Sequence, residues 1–246
     1  MKTSLTITIF GGLGLLACSL LFAAPSTAPT VAPTDDAYLP PPSTPLPTGM
    51  TSIFDGKSLV GWAQFPTDAW TVKNNALASL GKGRGVIYTQ NSYDSYRIIF
   101  DMRHVAPDKD HPACVLFFTT APADGQKPLD ALAGVQFQLP NGGHWDYRKG
   151  HNNEGKEEFT VLSHTTFDAH QWSRVEILID SSSGTARLAV AQPVGSKAVE
   201  IADFKDSSAG RSGPFALQMH NKGLFDEYAN MVIEINPTSH DLLTTK

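Results

Sequence analysis

After Met50 the chain alternates between apolar and polar residues over short stretches, each ending at a cluster of Gly, Asn, Asp or Pro. The alternation is sharpest in Tyr96–Arg103, Gly134–Leu139 and Phe215–His220. A period of two predicts strands with one buried and one open side, because successive side chains on a strand point to opposite faces. Trp70–Lys73, Val86–Thr89, Ala113–Thr119, Phe159–Ser163, Ser173–Asp180, Ala186–Gln192, Val199–Phe204 and Met231–Asn236 read as further strands, rich in Val, Ile, Phe and Thr. No window of 11 or more residues holds a helical period. About eleven short strands predict an all-β sandwich of two antiparallel sheets rather than βαβ units.

The same alternation sorts the faces. Val135, Phe137 and Leu139 oppose Gln136 and Gln138; Phe215, Leu217 and Met219 oppose Gln218 and His220. Tyr96, Ile98, Phe100 and Met102 oppose Asp101 and Arg103. An open side carrying amides, imidazole and charge suits a polyhydroxylated ligand, and it equally suits an ordinary solvated face.

Composition changes the picture at the N-terminus. Met1–Lys2 precede an apolar run from Leu5 to Ala24, so residues 1–24 read as a signal peptide and the protein as secreted or extracytoplasmic. A signal anchor is the competing reading, since the run approaches the roughly 20 residues that span a bilayer. Once the signal is cleaved, no stable membrane insertion is expected. A lipoprotein reading of Leu15–Cys18 is weakened by the apolar residues that follow it. Residues 25–49 hold eight of the 17 prolines, a composition that favours an extended linker over a core. The folded domain is expected over 50–240, with 241–246 as a tail. Cys114 is then the one cysteine of the mature chain, so no internal disulfide forms, and its apolar surroundings read as core. A formal charge of −5 argues against nucleic acid as a partner.

The densest polar and aromatic stretch is Asn141–Glu158. It reads as a loop in which Trp145 and Tyr147 offer flat faces for sugar stacking, with His144, Asp146, Arg148 and Glu158 to read hydroxyls; the alternative is a self-packed surface loop. A second cluster, His220–Tyr228, supplies Asn221, Asp226 and Glu227. Two-carboxylate glycoside hydrolysis needs acids roughly 5–5.5 Å or 6.5–9.5 Å apart, and Asp146, Glu154, Glu157, Glu158, Asp226 and Glu227 are the candidates. The paired-acid strand Glu-x-Asp-x-Glu is absent. His104, His111, His144, His151 and His220 lack the His-x-x-x-His spacing, so no cofactor is expected, with a divalent cation left open. His164 and His170 read as turn residues, and Gly81–Gly85 as a hairpin turn.

Three anchors resemble the 3-keto-disaccharide hydrolase family. Ile53–Trp62 is similar to its opening Phe-Asp-Gly-Lys-x-Leu-x-x-Trp, Trp70–Leu77 to its Trp-x-Val-x-Asp-Gly-x-Leu hairpin, and Gly213–His220 to its Gly-x-Ile-x-Leu-Gln-x-His. With Gln171–Arg174 the resemblance spans about 51–236. It implies a concanavalin-like jelly roll acting on glycosides oxidised at the third sugar carbon, with a base near C2 and a polariser of the keto oxygen. The chain departs from the family's acidic strand Gly-Tyr-Glu-x-Gln-Ile-x-Asp, which here reads Gly134–Asn141 with Gln136 and Asn141 in place of the carboxylates.

The leading expectation is an exported glycoside hydrolase or lyase of the keto-sugar type. In it Gln136, Gln138, Trp145, Tyr147, Arg148, Arg103, Gln218 and Asn221 hold the sugar. His220 or His144 polarises, and Asp146, Glu158 or Asp101 acts as base. The alternatives are a lectin-like binding module and a tailoring enzyme for another oxygenated small molecule.

Overall fold

In the computed structural model, residues 39–42, 47–105, 113–123, 132–152 and 158–246 are described. The expected signal peptide, much of the linker, His111, Glu154 and Glu157 lie outside the described residues. Among the described residues the structure is strand and turn without helix, and no helix is long and apolar enough to cross a membrane.

Among the described residues fifteen strands form two antiparallel sheets. The larger runs β10 (Phe159–Val161), β13 (Val199–Lys205), β12 (Thr185–Ala191), β11 (Ser173–Asp180), β6 (Tyr96–His104), β15 (Asp226–Ile235), β4 (Ala76–Ser79), β3 (Trp70–Lys73), with β1 (Thr51–Ser52) also on β15. The smaller runs β2 (Trp62–Phe65), β5 (Gly85–Thr89), β14 (Ala216–Met219), β7 (Cys114–Phe117), β8 (Val135–Gln138), β9 (Gly143–Asp146). The two-sheet sandwich expected from the alternation is the observed fold. Gly81–Gly85 departs from its expected role: it joins β4 to β5, strands of different sheets, so it is a crossover and not a hairpin turn.

The core lies between the sheets. Tyr96, Ile98, Phe100 and Met102 meet Phe215, Leu217, Val115 and Phe137 across it. Phe117, Phe137, Phe159 and Phe204 stack in tilted and edge-on pairs at 4.9–6.3 Å, the arrangement ring quadrupoles favour.

The larger sheet's outer face carries charge and is closed by the C-terminal residues. Arg97, from β6, sits 2.8 Å from Glu176 on β11 and also pairs with Glu234. It donates to the carbonyls of Ser239 and Asp241, while Glu176 accepts from Leu243 N, Thr244 N and Thr244 Oγ1. Both charges are removed from water, and such a pair persists only when its remaining hydrogen-bonding capacity is filled. Residues 239–244 fill it. On the smaller sheet, half of the outer face is apolar, with Val86, Leu116, Leu132 and Ala216 buried beneath Phe65, Tyr88 and Tyr147. The other half is a groove.

Candidate functional site

The register of the smaller sheet builds the groove floor. Gln218 on β14 lies opposite Val86 on one side and Cys114 on the other, and Cys114 lies opposite Gln138, which faces Gly143. Neighbouring strands are about 4.8 Å apart, so Gln218, Cys114 and Gln138 form an outward row. In the next row Gln136 stands opposite Trp145. The space above is about 1080 Å³, large enough for a sugar with a substituent.

Three features shape it. Gly142, at φ +76°, closes the β8–β9 turn, where its N–H donates to Gln138 O over 3.0 Å. A Cβ on Gly143 would come within 2.2 Å of Gln138 Oε1, so glycine is what lets that amide lie over β9. Asn141 clamps the 163–167 segment, donating from Nδ2 to Phe167 O and accepting from Phe167 N at 2.7 Å. That clamp brings Ser163, His164 and Thr165 to one wall, and Arg84 and His220 stand at the other end. Arg84 Nη2 is 3.2 Å from His220 Nε2.

The floor is polar and under-bonded. Among the described residues the side chains of Gln136 and Gln138 make no hydrogen bond, and Gln136 Oε1 and Trp145 Nε1 are both shut from solvent without a protein partner.

The sequence placed Gln136, Gln138, Trp145, Tyr147, Gln218 and His220 at the site, and the structure brings them to one face; all but Gln218 line the groove itself. His144 also borders it, but its ring is turned to the core side and stacked on Phe159 at 4.2 Å. The expected loop is in part strand β9, and alternation then sends Trp145 outward and His144 and Asp146 inward. Asp146 is wholly buried and forked by Arg148, whose Nη2 also reaches Asp206 at 2.7 Å and whose Nη1 reaches Ser208. Asp146 and Arg148 are structural, not a base and a sugar contact. Burial raises the Asp206 carboxyl, but hydrogen bonds from Arg148 and Ser208 outweigh it and bring it down to about 2.

Asp101 and Arg103 belong to the other sheet. Asp101 is forked by Arg174 and bonded by Asn230, and Arg103 pairs with Glu227 and lies over the Trp172 ring. Alternation showed them facing away from the core but not that their sheet is the opposite one. Asp226 and Glu227 lie on β15, not in a loop. Asp226 is buried 2.7 Å from His104 Nδ1, with its carboxyl raised by burial against the opposing pull of His104. Asn221 is half-buried outside the groove lining. Cys114 is buried as expected, yet it faces the groove floor rather than the core.

Glu158 sits apart from the floor, 3.4 Å from His151. With Asp206 these two present ligand atoms within 4.8 Å of one another, the geometry of a candidate cation site. Arg148 already pairs with Asp206 there, which weakens the pull on a metal.

Sequence reasoning missed Arg84, His164 and the Ser163–Thr166 wall. Arg84 sits in a Gly-rich run read as a turn, and His164 in a segment read as one. The reciprocal Asn141–Phe167 contact that carries His164 to the groove spans 26 residues and leaves no local signal.

A family model described as a 3-keto-alpha-glucoside-1,2-lyase-like domain matches residues 49–234. No curated protein matches the chain. Among solved structures, a protein of Parabacteroides distasonis assigned as a glycosyl hydrolase superposes with a TM-score of 0.55 at 15% identity, covering 77% of this chain and 95% of that one. The carbohydrate-binding module CBM66 of Bacillus subtilis superposes at 0.50 and 11% identity, over 71% and 95%. The exoplasmic domain of VIP36, bound to Ca2+ and a mannose-containing oligosaccharide, superposes at 0.52 and 10% identity, over 76% and 89%. These identities speak for the fold alone: a concanavalin-like jelly-roll sandwich.

Proposed function

The chain belongs to the 3-keto-alpha-glucoside-1,2-lyase-like family, and on that premise we propose that it is an exported domain that binds a glycoside in the groove and cleaves 3-keto-glycosides by elimination. The observation that carries the reading is the floor itself. Gln136, Gln138, Trp145 and Tyr147 line it together, amides that can bond sugar hydroxyls beside aromatic faces that can stack on a sugar ring.

The lining favours elimination over two-carboxylate hydrolysis. Among the described lining residues there is no Asp or Glu, while Arg84, His164 and His220 are present. A ketone at C3 acidifies the C2–H bond. A base takes that proton, charge moves to the keto oxygen, and as the carbonyl re-forms the C1–O bond breaks, leaving a C1=C2 double bond and a leaving group that takes up a proton. Water then adds across C1=C2. A guanidinium can only donate, so His220 Nε2 is the acceptor from Arg84 and the ring proton sits on Nδ1. That Nδ1–H is the donor assigned to the keto oxygen. His164, on the wall clamped by Asn141, is the imidazole assigned to the C2 proton.

The test is product release from a 3-keto-glucoside and from its unoxidised counterpart, with deuterium uptake at C2 followed in D2O. Release and exchange from the keto substrate alone are expected. Cleavage of the unoxidised glucoside would overturn the elimination chemistry. Sugar binding with turnover of neither leaves the lectin-like module, which the amide and aromatic lining also favours.

A further inference from the structure

We propose that Ser79, a buried serine outside the groove lining, is the positioning residue that keeps His220 opposite Arg84; its effect on turnover rests on the role given to His220 above. The crossovers that carry the pair run side by side. Met219 lies opposite Gly85 at the end of the β5–β14 ladder, and the same register puts His220 opposite Arg84. Three residues further along both segments, Gly223 N donates to Gly81 O over 2.9 Å, so that register still holds. On the larger sheet Ala78 lies opposite Glu227 and Leu77 opposite Tyr228, a register displaced by one residue. Residues 80–84 and 220–225 thus form an antiparallel ribbon between the sheets, with one extra residue on the 220–225 side, as in a β-bulge.

Ser79 stands where that extra residue is absorbed. Its hydroxyl donates to Leu224 O at 2.9 Å and accepts from Asp226 N at 2.8 Å, so one side chain brackets Phe225 on both sides. The Asp226 carboxylate is held in turn by His104 at 2.7 Å. The Phe225 ring lies on Gly81, where a Cβ would come within 2.6 Å of it. Leu224 and Asp226 are buried, so loss of the hydroxyl leaves a carbonyl and an N–H unpaired away from water. The ribbon's remedy is to move the bulge toward the groove. The larger-sheet register, carried through the ribbon, sets Asn221 rather than His220 opposite Arg84, and a slip of one residue turns side chains to the other face.

The test is the ring tautomer of His220, read from nitrogen–proton correlation spectra of the labelled protein with His220→Ala assigning the signal. Wild type and Ser79→Thr, which keeps the hydroxyl, are expected to show the proton on Nδ1. Ser79→Ala is expected to show a mixture of tautomers and a kcat on a 3-keto-glucoside lowered roughly 10- to 100-fold, with KM little changed. A wild-type tautomer in folded Ser79→Ala overturns the inference. If Ser79→Ala does not fold, Phe225→Ala decides: it removes a ring that is 39% exposed, leaves these hydrogen bonds in place, and is expected to mix the tautomers as well. An unchanged tautomer there also overturns the inference. Should wild type turn over no glycoside, the proposed function fails while the spectra still decide whether Ser79 sets the facing of His220.

Discussion

Arg84 Nη2 donates to His220 Nε2 across 3.2 Å at one end of the groove. The arginine is exposed and the imidazole half-buried, so the pair contributes little to the fold, and its value lies in fixing which ring nitrogen of His220 carries the proton. His220→Ala is expected to lower turnover of a 3-keto-glucoside about 10²- to 10⁴-fold, the usual range for a positioned acid–base group. Arg84→Met is expected to lower kcat with little effect on KM and to shift stability by no more than about 0.5 kcal/mol. Steady-state kinetics beside a thermal melt checks both. A fall in the melting point that tracked the loss of activity would refute the division of roles.

Gly143 tests the floor without touching a polar group. Gly143→Ala places a methyl where Gln138 Oε1 now lies, 2.2 Å from its position, so the amide must swing away. The glycine is not in the left-handed region, so backbone strain does not enter. Sugar affinity is expected to fall about 10-fold, the worth of one or two hydrogen bonds, with no broad loss of stability.

The C-terminal residues bear on stability rather than on the site. Deleting 239–246 removes the groups that complete Arg97 and Glu176 and uncovers Leu178, Ala189 and Ala198, which cluster with Leu242. A loss of about 3–5 kcal/mol is expected from the stranded charge pair. Denaturant unfolding of the truncated chain measures it, and Glu176→Gln, which keeps the tail but removes one charge, is expected to lose a comparable amount.

Acid stability follows from Asp206. Its folded carboxyl lies at about 2, below the ordinary value of 3.8. The unfolded chain therefore binds this proton first as pH falls. The contribution is present above about pH 4 and is lost as pH drops toward 2. Asp180 is depressed as well, by hydrogen bonds from Ser182, Ser183 and Ser95 that outweigh its burial, and adds to the same slope. Asp206→Asn is expected to be less stable than wild type at pH 7 and to show a flatter decline between pH 4 and 2 in acid-unfolding curves.

The sandwich was legible because burial imposes a period of two: the inward residues of β6, β8 and β14 are those the alternation names. It also named the outward glutamines of the floor, since Gln136, Gln138 and Gln218 must face away from Val135, Phe137 and Leu217. The sequence alone thus determined fold class, core and amide floor, together with a family resemblance that the match over 49–234 bears out.

What only the tertiary structure decided was which outward residues share a site. Asp101 and Gln136 are equally outward by pattern, yet they stand on opposite sheets, because strand order is set by pairings far apart in the chain, such as β6 with β15. Asp146 looked like a base until β9 turned it inward onto Arg148. Arg84 and His220, 136 residues apart, meet through the β5–β14 ladder, and His164 arrives through Asn141. Periodicity is local and fixes the direction a side chain points, whereas a site is a convergence of distant segments, and that depends on strand order and loop clamps with no local signature.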